Sequence, residues 1–263
     1  MMAMQNFIVC IKKICSALKS RPLPGAAALL LLTGAIHLWA FSWSPYAERD
    51  SLRYLTGAIR WVEQGSYDLL ALPPLPCFLI KLLIQLGFSP DTAGNIYSFL
   101  PGLFVPLAAY VFALRLTGNR RLARYTAIML IFHPLLVMFA IKPLRESLHI
   151  LLILLLFISG HAGLKTQKIL PWLTCALFTA LGWCCRFEAV EFIVLAFIAL
   201  TVLTIQKRYA FTKAIYHFGV YFFCTFLLWA LLTAAFGGKE CFKYQVDRYI
   251  IKRWKWTVQR WKV

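Results

Sequence analysis

The sequence predicts an all-α, polytopic membrane protein with about seven transmembrane helices and a long first extracytoplasmic loop. The chain has 263 residues, of which 61% are hydrophobic and 14% are charged. Soluble proteins average about 45–50% and 25% for these two classes, and a single globular core could not bury so much apolar side chain. A lipid bilayer is therefore the expected solvent for most of the chain.

Seven uncharged runs correspond to the predicted spans. They are Pro22–Ala47, Thr92–Leu114, Tyr125–Ile141, Ser147–Leu164, Ile169–Cys185, Phe192–Gln206 and Ala214–Gly238. A helix needs about 17–25 apolar residues to cross a bilayer. The sixth run is the shortest, so flanking residues must extend the helix or the helix must tilt less than the others.

Three apolar segments of the first 90 residues need a separate interpretation. Pro22–Ala47 is too long for the 7–15-residue core of a signal peptide, so we predict a signal anchor. The runs Leu69–Ile80 and Leu82–Pro90 flank Lys81 and predict a helix that lies in the membrane interface without crossing.

The charges predict the orientation. The formal net charge is +18, and all ten acidic residues fall on one side of the predicted spans. The other side carries the basic N-terminus and basic connections around Arg120, Lys165 and Lys207. The positive-inside rule makes this basic side cytoplasmic, which predicts a multi-pass cell-membrane protein with a cytoplasmic N-terminus and no nucleic-acid partner. The acidic outer face is expected to hold the chemistry.

The predicted organisation has three parts. Residues 1–21 form a basic N-terminus, residues 22–238 a transmembrane domain with the outer loop 44–91, and residues 239–263 a basic tail. Apolar residues of the tail recur every four positions from Phe242 to Val258, which predicts an interfacial helix. With seven spans the tail lies outside, against the positive-inside rule, and a frayed tail is the alternative.

No metal or cofactor is predicted. The five His are scattered, and the sequence has no H-E-x-x-H spacing and no Gly-rich phosphate loop. The eight Cys form no C-x-x-C pair, and most are expected to be buried thiols in apolar runs. The sequence makes no prediction about the oligomeric state.

The outer loop opens with a cluster of charged residues. A carboxylate at the edge of the membrane, such as Glu48 or Asp50, is partly desolvated and suited to act as a general base. Arg49 and Arg53 would oppose the desolvation shift and can bind a phosphate. The alternative is a solvated loop with ion pairs three or four residues apart.

The two short outer connections each pair an arginine with a glutamate. Arg145 and Glu146 precede the fourth predicted span, and Arg186 and Glu188 follow the fifth. Ionisable residues near membrane depth are functional candidates. A structural salt bridge or an arginine that extends to the interface is the alternative.

Several motifs follow one another in a recognisable order. They are Arg49-Asp50-Ser51 with Tyr54, Gly65-Ser66-Tyr67, Pro73-Pro74-Leu75, Gly87-Phe88, Gly118–Ala123, His133-Pro134, Arg145–Leu148 and Arg186-Phe187-Glu188. Over roughly residues 25–200 this order resembles the GT-C superfamily of membrane glycosyltransferases. The most similar group uses dolichyl- or polyprenyl-phosphate sugars and includes protein O-mannosyltransferases and lipid A aminoarabinose transferases. The chain departs from many relatives in having Ser51, instead of Glu, after Asp50.

The resemblance implies a GT-C-like core that moves a sugar from a polyprenyl-phosphate donor to an acceptor on the extracytoplasmic face, with inversion. Asp50 would take the proton of the acceptor hydroxyl, and arginines would neutralise the leaving phosphate. The residues so implied are Asp50 and Glu48 as catalytic groups, and Arg49, Arg53, Tyr54, Arg145, Glu146, Arg186 and Glu188 as substrate-binding groups.

Two other functions remain open at this point. One is a non-catalytic membrane partner that binds polyprenyl lipids and assists another transferase, which is favoured because the chain stops soon after the seventh predicted span. The other is a transporter or flippase for a lipid-linked anion. Transport would favour charged residues deep in the spans, whereas here they lie at the span ends.

Overall fold

The computed structural model describes residues 22–43, 49–65 and 72–245. Residues 1–21, Glu48 and the tail beyond residue 245 lie outside these ranges. Within them the chain is helical and forms no strand. The helices are α1 (Pro22–Phe41), α2 (Arg49–Gln64), α3 (Pro74–Gln85), α4 (Pro90–Thr117), α5 (Arg120–Ile131), α6 (Pro134–Ile141), α7 (Glu146–Thr166), α8 (Ile169–Cys185), α9 (Glu191–Ile205) and α10 (Phe211–Gln245), with a short 3₁₀ helix at Phe187–Val190.

Local sequence explains where the long helix α4 begins and ends. The Ser89 hydroxyl accepts a hydrogen bond from the Thr92 amide at 3.3 Å, and Pro90 occupies the first helical position, where a missing N–H has no cost. Gly118 ends the helix at φ 67°, the left-handed conformation that favours glycine. Asn119 then caps α5 through its side-chain oxygen, 2.9 Å from the Arg121 amide.

Three helical segments are long and apolar enough to cross a membrane: Pro90–Thr117, Glu146–Thr166 and Phe211–Phe236. They confirm three of the predicted spans. The predicted span Tyr125–Ile141 is instead broken into α5 and α6, which bend by 59° and count as a fourth span if taken together. The break follows from Pro134, which lacks a backbone N–H and keeps the preceding His133 extended.

The predicted number of seven spans is not confirmed. Of the other three segments, α1 has 20 residues (Pro22–Phe41), whereas Ile169–Cys185 and Glu191–Ile205 are shorter apolar helices. Helices of 15–17 residues extend about 22–26 Å at about 1.5 Å per residue, against a hydrocarbon core of about 30 Å. They can cross only if the bilayer thins locally or flanking residues complete the span.

Helices α4, α7, α8 and α10 pack side by side in the centre of the protein. Helix α1 and the broken pair α5–α6 pack against α4, and α9 packs against α10. One end of this bundle, which we call the basic end, contains the α7–α8 connection, where the Lys213 ammonium donates to the Gln167 side chain at 3.2 Å. The opposite end, which we call the site end, contains the α6–α7 and α8–α9 connections with α2 and α3.

Part of the predicted outer loop is an amphipathic helix that lies on the site end. The side chains of α2 that face the protein recur at helical spacing: Ser51, Tyr54, Leu55, Ala58 and Trp61. They pack with α3 and α4 in one apolar cluster. Helix α3 has only 12 residues and is too short to cross the membrane, which fits the helix without crossing predicted for this stretch.

The close packing of α2 on α4 depends on a glycine. A methyl group at Gly94 would lie 2.6 Å from the Leu55 side chain and 3.0 Å from the ring of Pro143. Leu55 belongs to α2 and Pro143 to the α6–α7 connection, and both of these segments pack on α4 at the site end.

We therefore expect Gly94→Ala to lower stability by about 1–3 kcal/mol, because an added methyl group forces its neighbours apart. Gly219→Ala, in an open position of α10, should leave stability unchanged or raise it slightly, because Ala favours a helix over Gly. Thermal unfolding of both variants in detergent checks the pair, and equal melting temperatures would contradict the close contact.

Candidate functional site

Four charged residues meet at the site end. The Arg145 Nε lies 3.6 Å from a Glu146 carboxylate oxygen, and the Arg186 Nε lies 3.3 Å from a Glu188 carboxylate oxygen. All four side chains are 22–40% exposed, so they are partly withdrawn from water. Each contact uses Nε, one of five N–H donors of a guanidinium. The two terminal nitrogens of each guanidinium group can therefore bind a second anion.

The two pairs act on one another electrostatically. Burial alone would raise the pKa of Glu188, but a backbone hydrogen bond and the charges of Arg186 and Arg145 outweigh it, so the pKa lies below its ordinary value. Burial likewise opposes the charge of Arg145, but Tyr54, Glu146 and Glu188 raise its pKa above the ordinary value. The Glu188 carboxylate is therefore ionised and the Arg145 guanidinium charged at neutral pH.

The backbone around Arg145 is held by buried contacts. The Ser98 hydroxyl of α4 accepts from the Leu144 amide at 3.2 Å and donates to the Gly94 carbonyl at 3.3 Å. The Cys185 thiol at the end of α8 donates to the Arg145 carbonyl at 3.5 Å. These contacts attach the α6–α7 connection to both α4 and α8, so the position of Arg145 is set by the helical bundle.

Tyr54 of α2 lies beside this cluster. The residue is buried, and it interacts electrostatically with Arg145 and Glu146. Burial raises the pKa of Tyr54 by more than the nearby Arg145 lowers it, so the phenol stays neutral and can donate a hydrogen bond. Tyr54 and Arg145, both implied above as substrate-binding groups, therefore lie within electrostatic range of each other.

The charged residues at the start of α2 are exposed, although Asp50 lies only one helical turn before Tyr54. Asp50 and Arg53 form an ion pair at 3.7 Å, and their side chains are 68% and 60% exposed. Arg49 is also exposed, and Glu48 lies outside the described residues. The structure thus brings together Tyr54, Arg145, Glu146, Arg186 and Glu188, and it leaves Arg49, Asp50 and Arg53 on the exposed side of the same end.

Sequence reasoning missed several residues that complete this site. Tyr97 and Ser98 lie one turn after Gly94 on α4, and both are buried. His149 lies one turn after Arg145 on α7 and interacts electrostatically with Arg145, Arg186 and Glu188. The available signal was the helical spacing of Gly94, Tyr97 and Ser98 within an otherwise apolar run.

A cofactor site is not suggested by this arrangement. In the part of the chain that the structure describes, no three His, Cys, Asp or Glu side chains converge as metal ligands. The available groups are instead two guanidinium groups, two carboxylates and phenols. Such a set suits an anionic, hydroxyl-bearing ligand.

Comparison with known families identifies the chain. The model of the dolichyl-phosphate-mannose-protein mannosyltransferase family matches residues 71–232, which is more than half of the sequence. The chain belongs to this family. It is therefore a membrane glycosyltransferase of the GT-C type, as the order of its motifs implied. Searches of curated proteins and of solved structures gave no match.

The matched region contains the four charged, partly exposed site residues described above. Arg145, Glu146, Arg186 and Glu188 fall within residues 71–232, whereas α2 with Asp50 and Tyr54 precedes the match. The family assignment therefore covers the segments that contribute the two arginines. The match does not include α2, so the role of α2 is argued from its position at the site end.

Proposed function

We propose that the chain transfers a sugar of the mannose class from a polyprenyl-phosphate carrier to a hydroxyl acceptor at the outer face of the cell membrane. The observation that carries this proposal is the cluster of Arg145 and Arg186 at one end of a helical membrane bundle, in a chain of this family. A lipid phosphate reaches the protein at the depth of its headgroup. The two partly exposed guanidinium groups are suited to bind it there.

The proposed reaction is a displacement at the anomeric carbon. The acceptor oxygen attacks from the side opposite the phosphate, the bond between the anomeric carbon and the phosphate oxygen breaks, and the configuration inverts. The leaving carrier phosphate gains negative charge, which Arg145 and Arg186 stabilise through preorganised N–H donors. Glu146 and Glu188 hold these guanidinium groups in place, and Tyr54 donates a hydrogen bond beside them.

Asp50 is the proposed general base. Its carboxylate is exposed at the start of α2, on the side from which an acceptor hydroxyl would arrive. An exposed ion pair such as the one with Arg53 contributes only about 0–1 kcal/mol, so the carboxylate can leave Arg53 to accept the acceptor proton. Arg53 and Arg49 then remain available to the carrier phosphate, and Glu48 is the second candidate for the base.

A non-catalytic function is the second candidate. Asp50 lies one helical turn before Tyr54, but it is exposed at the start of α2 and paired with Arg53. This placement would also fit a membrane protein that binds polyprenyl lipids and assists another transferase. A comparison of Asp50 variants in a transfer assay separates the two candidates, because only the enzyme needs the carboxylate.

The proposal requires the site end to face outward, with all seven predicted segments crossing. Single cysteines introduced at exposed positions in a cysteine-depleted chain should react with an impermeant reagent in intact cells at residue 63, and not at residues 120 or 165. Labelling at 120 without labelling at 63 would contradict this orientation. A tag at Val263 that proves cytoplasmic would mean that one segment, most simply the 15-residue α9, does not cross.

A further inference from the structure

Several buried polar atoms at the site end have no hydrogen-bond partner within the described residues. They are the Tyr97 hydroxyl, one carboxylate oxygen of Glu146, the Ser51 hydroxyl and the His149 Nδ1. Their residues come from α2, α4 and α7. Tyr97 is only 3% exposed, and it lies within electrostatic range of Tyr54 and Glu146. Buried polar groups are normally paired, so this group of atoms indicates a polar ligand.

The chemistry of these atoms distinguishes between the parts of a sugar-phosphate lipid. A phosphate is an anion and would be repelled by the Glu146 carboxylate. A sugar hydroxyl both donates and accepts hydrogen bonds, so it can donate to Glu146 and accept from the Tyr97 phenol. The neighbouring Arg145 and Arg186 remain the groups for the phosphate.

We propose that Tyr97 and Glu146 bind hydroxyl groups of the sugar and so determine which sugar-loaded lipid the protein selects. This inference rests on the proposed function for the identity of the ligand. Tyr97 is then a specificity-determining residue, placed on α4 one turn from the Gly94 contact with α2. Its hydroxyl would then find its hydrogen-bond partner in the bound sugar.

The test measures lipid binding by the full chain in nanodiscs. The probes are polyprenyl phosphate, polyprenyl-phosphate mannose and a set of monodeoxy analogues of the loaded lipid. Wild-type protein should prefer the loaded lipid over the bare one. Tyr97→Phe should reduce this preference by about 3- to 10-fold, the effect of one hydrogen bond, and should not change binding of the bare lipid. For the analogue that lacks the contacted hydroxyl, wild type and variant should bind equally.

Tyr221→Phe is the matched control. Tyr221 is equally buried at 1% exposure, but its hydroxyl is 2.9 Å from the Thr179 hydroxyl. Tyr221→Phe should leave the lipid preference unchanged and lower the melting temperature, because Thr179 loses its partner. Tyr97→Phe should leave the melting temperature of the empty protein unchanged or raise it, because its hydroxyl has no partner to lose.

The outcomes separate the two proposals. An unchanged preference in Tyr97→Phe across every analogue would overturn the inference and indicate that water fills the group of unpaired atoms. A wild-type protein without any preference for the loaded lipid would also overturn it. A preference that depends on Tyr97 in a protein that transfers no sugar would support the inference and reject the proposed enzymatic function.

Discussion

Asp50→Asn is expected to lower sugar transfer by about 10²–10⁴-fold, the range typical for loss of a general base. The substitution keeps the size and shape of the side chain and removes its basicity. Asp50 is 68% exposed, so the stability of the protein should change by no more than about 0.5–1 kcal/mol. The measurement is transfer from a polyprenyl-phosphate sugar, together with thermal unfolding.

Asp91→Asn provides the control for this experiment. Asp91 is an exposed carboxylate in the first turn of α4, and its substitution should leave transfer unchanged. Full activity of Asp50→Asn together with an inactive Glu48→Gln would move the role of the base to Glu48. Full activity of both variants would contradict the proposed enzymatic mechanism.

Arg145→Ala and Arg186→Ala are each expected to lower transfer by about 10²–10³-fold, the usual effect of removing one preorganised donor to a developing charge. The Lys variants keep the positive charge and lose the planar fork that grips a phosphate. They should therefore recover only part of the lost activity. Steady-state kinetics with the lipid donor varied measures this difference.

A purely structural role of the arginines makes a different prediction. If Arg145 and Arg186 serve only as ion-pair partners of Glu146 and Glu188, Lys should restore most of the function lost in the Ala variants. Across these variants, the loss of sugar transfer would then parallel the loss in melting temperature. Arg60→Lys, an exposed substitution on α2, should leave both transfer and stability unchanged in either case.

The membrane character and the main spans could be predicted from composition and the uncharged runs. Those patterns locate α4, α7 and α10 because these helices are long and continuous. The uncharged runs Ile169–Cys185 and Phe192–Gln206 already predicted 17 and 15 residues for α8 and α9. They could not show whether flanking residues would lengthen these helices enough to cross, because an uncharged run does not state where a helix ends. The break at Pro134 was open to prediction from the proline itself, but the run containing it was interpreted as one span.

The site was predicted in part. Arg145, Glu146, Arg186 and Glu188 stand out because they are charged residues beside long apolar runs, and the fold brings them together. The exposed Asp50, paired with Arg53 three residues on, fits the alternative of a solvated segment with local ion pairs and not the expected partly desolvated carboxylate. Tyr97 was missed because the helical spacing of Gly94, Tyr97 and Ser98 does not indicate a ligand until the burial and partners of the Tyr97 oxygen are known.

The most direct test of the central claim is a mass-spectrometric survey of lipid-linked sugars and glycans in cells with and without the gene. The deletion should accumulate a polyprenyl-phosphate sugar and lose a glycan. Wild-type protein should restore both, and a chain with Arg145→Ala and Arg186→Ala should restore neither while inserting normally into the membrane. Unchanged lipid-linked sugars in the deletion, or full restoration by the double variant, would contradict sugar transfer at this arginine cluster.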